Sequence, residues 1–197
     1  MAGSQQKSWL TDTLESLPSI VFLVAWRGGG DIAFAGWLGA ASALALLLGF
    51  RFYRMPFNPI LLGINLHLAA ITPLIVASFH LGVTDLARLL LRSSESGVLI
   101  SVFLTGCLLT LFSGRGFVGD ATMPRRLRLQ FSASLLAVTA ALIPWSFAHA
   151  GQTLVSLAVP FMILFALRRF LIARWHDKAG GNSSAFAGLA MPAGETH

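Results

Sequence analysis

The stretch ILLGINLHLAAITPLIVASFHLGV, residues 60–83, decides the fold class of this chain. It contains no Asp, Glu, Lys or Arg, and its 24 residues exceed the length of about 20 that an α-helix needs to cross the hydrocarbon core of a bilayer. Polar residues do not occupy every second position, as they would in a strand of a membrane β-barrel. The stretch therefore predicts a membrane-spanning α-helix.

Four further stretches have the same apolar character. They are residues 32–50, 97–113, 131–149 and 153–173. A backbone that enters lipid must satisfy its own hydrogen bonds, and a helix does so within one segment. The chain is therefore predicted to be an all-α, polytopic transmembrane helix bundle with five spans.

A shorter apolar run at residues 17–26 leaves two interpretations open. It is either a short sixth span, extended by residues 9–16, or a re-entrant, interfacial helix that Pro18 opens; its length favours the second. The predicted organisation is an N-terminal amphipathic segment at 1–16, a transmembrane domain at 17–178, and a polar tail at 179–197. The Gly and Ser content of the tail predicts disorder.

Composition agrees with membrane residence and argues against a nucleic-acid partner. Hydrophobic residues make up 55% of the chain and charged residues 11%, whereas a soluble domain has about 25% charged residues. The net charge is +6, but the Lys and Arg residues adjoin the apolar stretches, where they contact lipid headgroups and set orientation.

Basic residues lie in alternate connections between the predicted spans. These residues are Arg51 and Arg54, then Arg115, Arg125, Arg126 and Arg128, then Arg168, Arg169, Arg174 and Lys178. Excess positive charge marks cytoplasmic segments, so the C-terminus is predicted to be cytoplasmic. The N-terminus is inside if residues 17–26 cross the membrane and outside if they are re-entrant.

The cluster of Arg125, Arg126 and Arg128 has two interpretations. Arginines beside an anionic leaflet each contribute about 1 kcal/mol of attraction, so the cluster is expected to anchor the chain to membrane lipids. The alternative is contact with a cytoplasmic partner.

Asn65 and His67 are polar residues within the apolar stretch at 60–83. Polar groups inside a membrane need partners, and they either form interhelical hydrogen bonds or mark a transport path. Two positions apart on a helix, their side chains diverge by roughly 200° and do not share one face. Interhelical hydrogen bonding is the favoured interpretation, and the polar site of a small transporter or channel is the alternative.

Small residues recur at intervals of four in two spans. The two stripes are Ala41, Ala45 and Gly49, and Ala133, Ala137 and Ala141. Such stripes let helix backbones approach closely in lipid. Packing within the bundle is the favoured interpretation, with a dimer face as the alternative.

Motifs for catalysis or metal binding are missing from the sequence. It has no His-Glu-x-x-His, no pair of cysteines and no Gly-x-Ser-x-Gly, and the glycine-rich residues 114–119 lack the Gly-Lys-Ser/Thr ending of a phosphate loop. We therefore expect no enzyme activity, no cofactor and no metal site.

The order of segments at the N-terminal end points to a family. Residues 16–25 read Ser-Leu-Pro-Ser-Ile-Val-Phe-Leu-Val-Ala, Asp31-Ile32-Ala33 follow after a short turn, and Arg51-Phe52-Tyr53-Arg54 come next. This order resembles the start of the intracellular septation protein A, or YciB-type, inner-membrane family. Residues 111–115 resemble the family's basic approach to its long cytoplasmic loop, whereas residues 93–96 and 153–156 depart from its pattern.

The resemblance implies a multi-pass protein of the bacterial inner membrane, linked to septation and envelope integrity. It further implies an accessory or scaffold role, exercised by helix contacts with other inner-membrane proteins or by self-association, and it supplies no catalytic residues.

Overall fold

The computed structural model describes residues 2–29, 31–53, 57–152 and 154–189, and these ranges are helical with no strand. The helices are α1 (Ala2–Arg27), α2 (Ile32–Phe52), α3 (Pro59–His80), α4 (Thr84–Arg92), α5 (Ser94–Phe112), α6 (Arg125–Ala148) and α7 (Val159–Leu189), with a π-helical turn at Leu154–Ala158. The prediction of an all-α fold is confirmed.

Within the described part of the chain, four helices are long and apolar enough to cross a membrane. They are Ala33–Phe52, Pro59–His80, Arg125–Ala148 and Val155–Asp177. A fifth crossing results if α4 and Ser96–Phe112, which meet at 88°, form one bent span. Only 17% to 28% of each of the four spans is buried inside the bundle, so most of their surface faces outward, as contact with lipid requires.

Helix α1 is continuous and includes both the predicted amphipathic segment and the run at residues 17–26. Pro18 lies inside this helix, so the expectation that it opens a helix is wrong. A short connection with Gly29 at φ 87° reverses the chain into α2. The two helices then pack closely, because a Cβ added to Gly39 would lie 3.1 Å from the Cβ of Phe22.

The C-terminal helix α7 continues beyond the predicted end of the transmembrane domain. It ends at Leu189, so the segment predicted to be disordered begins within a helix. The rest of that segment, residues 190–197, lies outside the described residues.

The connection between α5 and α6 folds back into the end of the bundle. Phe117 and Val118 are 0% exposed, and the hydroxyl of Ser132 in α6 accepts hydrogen bonds from their N–H groups at 3.0 and 3.3 Å. Gly116 adopts a φ of 62°, and a Cβ there would lie 2.7 Å from the Ser132 hydroxyl oxygen. Residues 113–124 therefore close this end of the bundle as a packed plug.

Three chain segments meet at the plug. A Cβ on Gly119 would lie 2.9 Å from Pro59 at the start of α3, and the Nε of Arg168 in α7 donates to the carbonyl of Val118 at 3.0 Å. Asp120 and His176 approach to 3.6 Å. The basic connections that the sequence assigned to one side of the membrane therefore lie at one end of the molecule.

Candidate functional site

Asn65 joins α3 to α1 deep in the bundle. Its side chain is 0% exposed, and its amide nitrogen donates to the backbone carbonyl of Glu15 at 2.9 Å. Rotating the amide by half a turn would place two acceptor oxygens against each other, so this bond fixes its orientation. The remaining atom, Oδ1, is buried and has no hydrogen-bond partner.

Glu15 is a carboxylate buried between α1 and α3. It is 1% exposed, and its two carboxylate oxygens each accept the backbone N–H of Asn58 at 3.0 Å. The side chain of Asn58 in turn accepts the N–H of Ile60 at 3.2 Å and caps α3. Burying a charge without partners is costly, so the Glu15 carboxylate depends on hydrogen bonds of this kind. These contacts tie α1 to the beginning of α3.

Pro18 adds to this arrangement from the same turn of α1. Its side chain is fully buried, and proline has no N–H to offer the carbonyl of Leu14 one turn earlier. The helix therefore leaves one carbonyl without its usual donor beside Glu15.

His67 lies on a different helix interface. A Cβ on Gly97 in α5 would be 3.0 Å from its Cε1, and its ring hydrogen-bonds to the backbone of Ser94. Asn65 faces α1, whereas His67 faces the start of α5. The structure therefore keeps the two residues at separate interfaces. Their spacing on the helix predicted this separation.

The three arginines of the cluster separate into two roles. Arg125 and Arg126 are exposed at the start of α6, where they are accessible to lipid headgroups or to a partner. Arg128 is half-buried, its Nη1 donates to the carbonyl of Met123 at 3.4 Å, and its stem lies beside Gly116. Arg128 therefore supports the plug.

The small-residue stripes face out of the bundle. Ala133, Ala137 and Ala141 are exposed in α6, as are Ala41 and Ala45 in α2. The interpretation that these alanines pack within the bundle is wrong. In α6 the inward face is formed instead by residues on the opposite side of the helix, namely Ser132, Leu135, Thr139 and Ser146, all of them buried.

Sequence reasoning missed Glu15, Asn58 and Ser132. Glu15 stands before the first apolar run, and a sequence does not show that α1 starts earlier and carries this carboxylate into the bundle. The position of Glu15 three residues before Pro18 is the one local signal. Its contacts with Asn58 and Asn65 are 43 and 50 residues away in sequence and have no local signature.

The apolar helices are those of a multi-pass membrane protein, and this is the class of protein that the fold indicates. Scans against family models, curated proteins and solved structures gave no match. Function is therefore inferred from the contacts of this chain and from the sequence resemblance.

Proposed function

We propose that this protein is an accessory protein of the bacterial inner membrane that acts through helix–helix contacts with other membrane proteins. The observation that carries the proposal is the outward face of α6. From residue 133 to residue 144 its exposed apolar positions are Ala133, Ala137, Ala140, Ala141 and Pro144, with no large side chain among them.

A face of this kind suits a second helix better than lipid chains. Apolar attraction between helices is weak in lipid, so association depends on close backbone approach, which small residues permit. Helix α5 presents a contrasting surface, on which Leu104, Leu108 and Leu111 are 56%, 57% and 76% exposed. The large leucines of α5 suit lipid, whereas the flat face of α6 suits a partner.

The internal polar groups support a packed bundle in preference to a transporter. Ser101 donates to the carbonyl of Gly63 at 3.0 Å, and the hydroxyl of Ser146 donates to that of Ser96 at 3.2 Å. Each bond joins two helices. The transporter alternative has weaker support, since Asn65 and His67 face different neighbours.

The proposed topology has six crossings, formed by α1, α2, α3, the α4–α5 pair, α6 and α7. The continuous course of α1 along α2 supports a crossing in preference to a re-entrant helix. With the basic connections inside, both the N-terminal and the C-terminal ends are cytoplasmic.

The link to septation and envelope integrity rests on the resemblance of residues 16–54 to the intracellular septation protein A family. It narrows the partner to an inner-membrane protein of the division or envelope machinery. Arg125 and Arg126 supply contact with anionic lipids at the start of the same helix.

Photo-crosslinking in native membranes tests the proposal. A photoreactive residue at Ala137 should capture a protein that mass spectrometry identifies as a division or envelope component, whereas the same residue at Leu104 should capture lipid. Recovery of only a second copy of this chain would show self-association and overturn the partner assignment. Capture of lipid alone at both positions would overturn the docking face itself.

A further inference from the structure

Helix α4 lies across α5 at the end of the bundle opposite the plug. Helix α3 begins at the plug and runs to the other end, where α4 follows it, and the axis of α4 makes an angle of 88° with that of Ser96–Phe112. Gly82 turns the chain from α3 into α4 with a φ of 76°, and the N–H of Val83 donates to the carbonyl of Ser78 at 2.9 Å. When α5 runs along the membrane normal, α4 therefore lies parallel to the membrane plane.

Helix α5 is long enough to cross the membrane by itself. Its 19 residues extend over about 28 Å, which is close to the roughly 30 Å of a bilayer's hydrocarbon core. A crossing by the α4–α5 pair therefore does not need α4 inside the hydrocarbon, and α4 can lie at the membrane surface.

The side chains of α4 divide into three faces. Ala87 is buried and faces the bundle. On the helix, Leu86 and Leu89 lie about 100° and 160° to one side of Ala87, and they are 43% and 60% exposed. Arg88 and Arg92 lie about 100° and 140° to the other side, and both are exposed. Apolar and charged side chains therefore leave α4 in different directions, as they do in helices that lie in a membrane interface.

We propose that α4 is an interfacial helix whose apolar face, formed by Leu86 and Leu89, is buried among the phospholipids of the leaflet at this end of the bundle. The exposed residues Phe79, Leu81 and Val83 extend this apolar face to the end of α3, a helix that is itself suited to lipid. An apolar face that adjoins a membrane span leaves water by entering the lipid beside that span, and this transfer is favourable.

The charged face of α4 suits phospholipid headgroups. Arg88 and Arg92 carry guanidinium groups that bind phosphate, and Asp85, about 160° from Ala87 on the same side, carries a carboxylate that pairs with ammonium groups. Long arginine side chains also reach from an apolar boundary to the headgroups. The lipid contact of α4 is independent of the docking face on α6, which belongs to a different helix.

Spin labelling of the full-length protein in nanodiscs of phosphatidylcholine and phosphatidylglycerol tests the position of α4. Cys107→Ser removes the native cysteine, and single cysteines are then introduced along α4 and labelled with a nitroxide. Labels at Leu86→Cys and Leu89→Cys should be several times more accessible to oxygen, which concentrates in lipid, than to a water-soluble nickel complex. Labels at Asp85→Cys and Arg88→Cys should show the opposite preference.

Two reference positions calibrate the accessibility. Leu108→Cys replaces an exposed leucine of α5 and should report lipid, whereas Gln152→Cys in the connection before α7 should report water. If the nickel complex reaches the labels at Leu86 and Leu89 as readily as the label at residue 152, the apolar face lies in water and the proposal is overturned. If neither reagent reaches them, protein covers the face, and the assignment to lipid is overturned.

A measurement on the parent protein needs no substitution in α4. Two phospholipids carry a photoreactive diazirine, one near the glycerol end of the acyl chain and one at its terminal methyl group, and light activates them in the nanodiscs. Mass spectrometry should find adducts of the first lipid in residues 81–92 and adducts of the second around Leu104 and Leu108 of α5. Labelling of α5 without any adduct in residues 81–92 would contradict an interfacial position for α4.

Discussion

Gly63 of α3 lies directly against Val102 of α5. A Cβ added at residue 63 would be 2.6 Å from the Cα of Val102 and 2.9 Å from its Cγ2. The nearest obstacle is backbone, which does not move aside as the end of a flexible side chain does. The α3–α5 contact therefore depends on the missing side chain at this one position.

Gly63→Ala is expected to destabilise the protein by about 1–3 kcal/mol, since the two helices must separate to admit the methyl group. Thermal unfolding of the purified protein in detergent measures the change. Gly49→Ala in α2 is the matched control, because a Cβ there meets nothing within 4 Å. A control variant that loses as much stability as Gly63→Ala would contradict the explanation.

Ser132→Ala is expected to loosen the plug at residues 113–124. The substitution removes the acceptor for the buried N–H groups of Phe117 and Val118, which costs about 1–3 kcal/mol. Limited trypsin digestion should therefore cleave faster at the exposed Arg115.

The control for Ser132 is Ser134→Ala in the same helix. Ser134 is exposed and donates only within α6, to the carbonyl of Gln130 at 3.0 Å. Its loss should leave the cleavage rate at Arg115 unchanged. Equal rates for the parent protein and Ser132→Ala would show that the hydroxyl does not hold the plug.

The proposed topology predicts that both chain ends are cytoplasmic. Reporters of compartment fused before residue 1 and after residue 197 should give cytoplasmic signals, and one inserted at Gly151 should give an external signal. Gly151 is exposed in the connection before α7, so an insertion there disturbs little packing. An external signal from the N-terminal reporter would restore the re-entrant interpretation of residues 17–26.

Hydrophobic length predicted where the long apolar helices lie, because a span must match the bilayer and its residues are contiguous. The stretch at 60–83 corresponds to α3, which begins at Pro59 and ends at His80. The spacing of Asn65 and His67 also predicted their divergence, since it depends on helix geometry alone. These features are local, and the sequence contains all the information they require.

The contacts of Glu15 and the direction of the alanine stripes could not be predicted in this way. Alanines at intervals of four predict close packing with another helix, but they do not identify that helix. In α6 the buried positions lie on the face opposite the stripe, so a rotation of about 180° separates the two interpretations. Such a rotation is set by the neighbouring helices and has no signal within the span.

A photo-crosslinking scan along α6, one position at a time from Phe131 to Ala148, tests whether the outward face of this helix binds a partner. A partner membrane protein should be captured with helical periodicity, most strongly at Ala133, Ala137, Ala141 and Pro144. Capture should be weakest at the buried Leu135, Thr139 and Ser146. A partner yield that is flat along the helix, or that peaks at the buried positions, would contradict a docking face on α6.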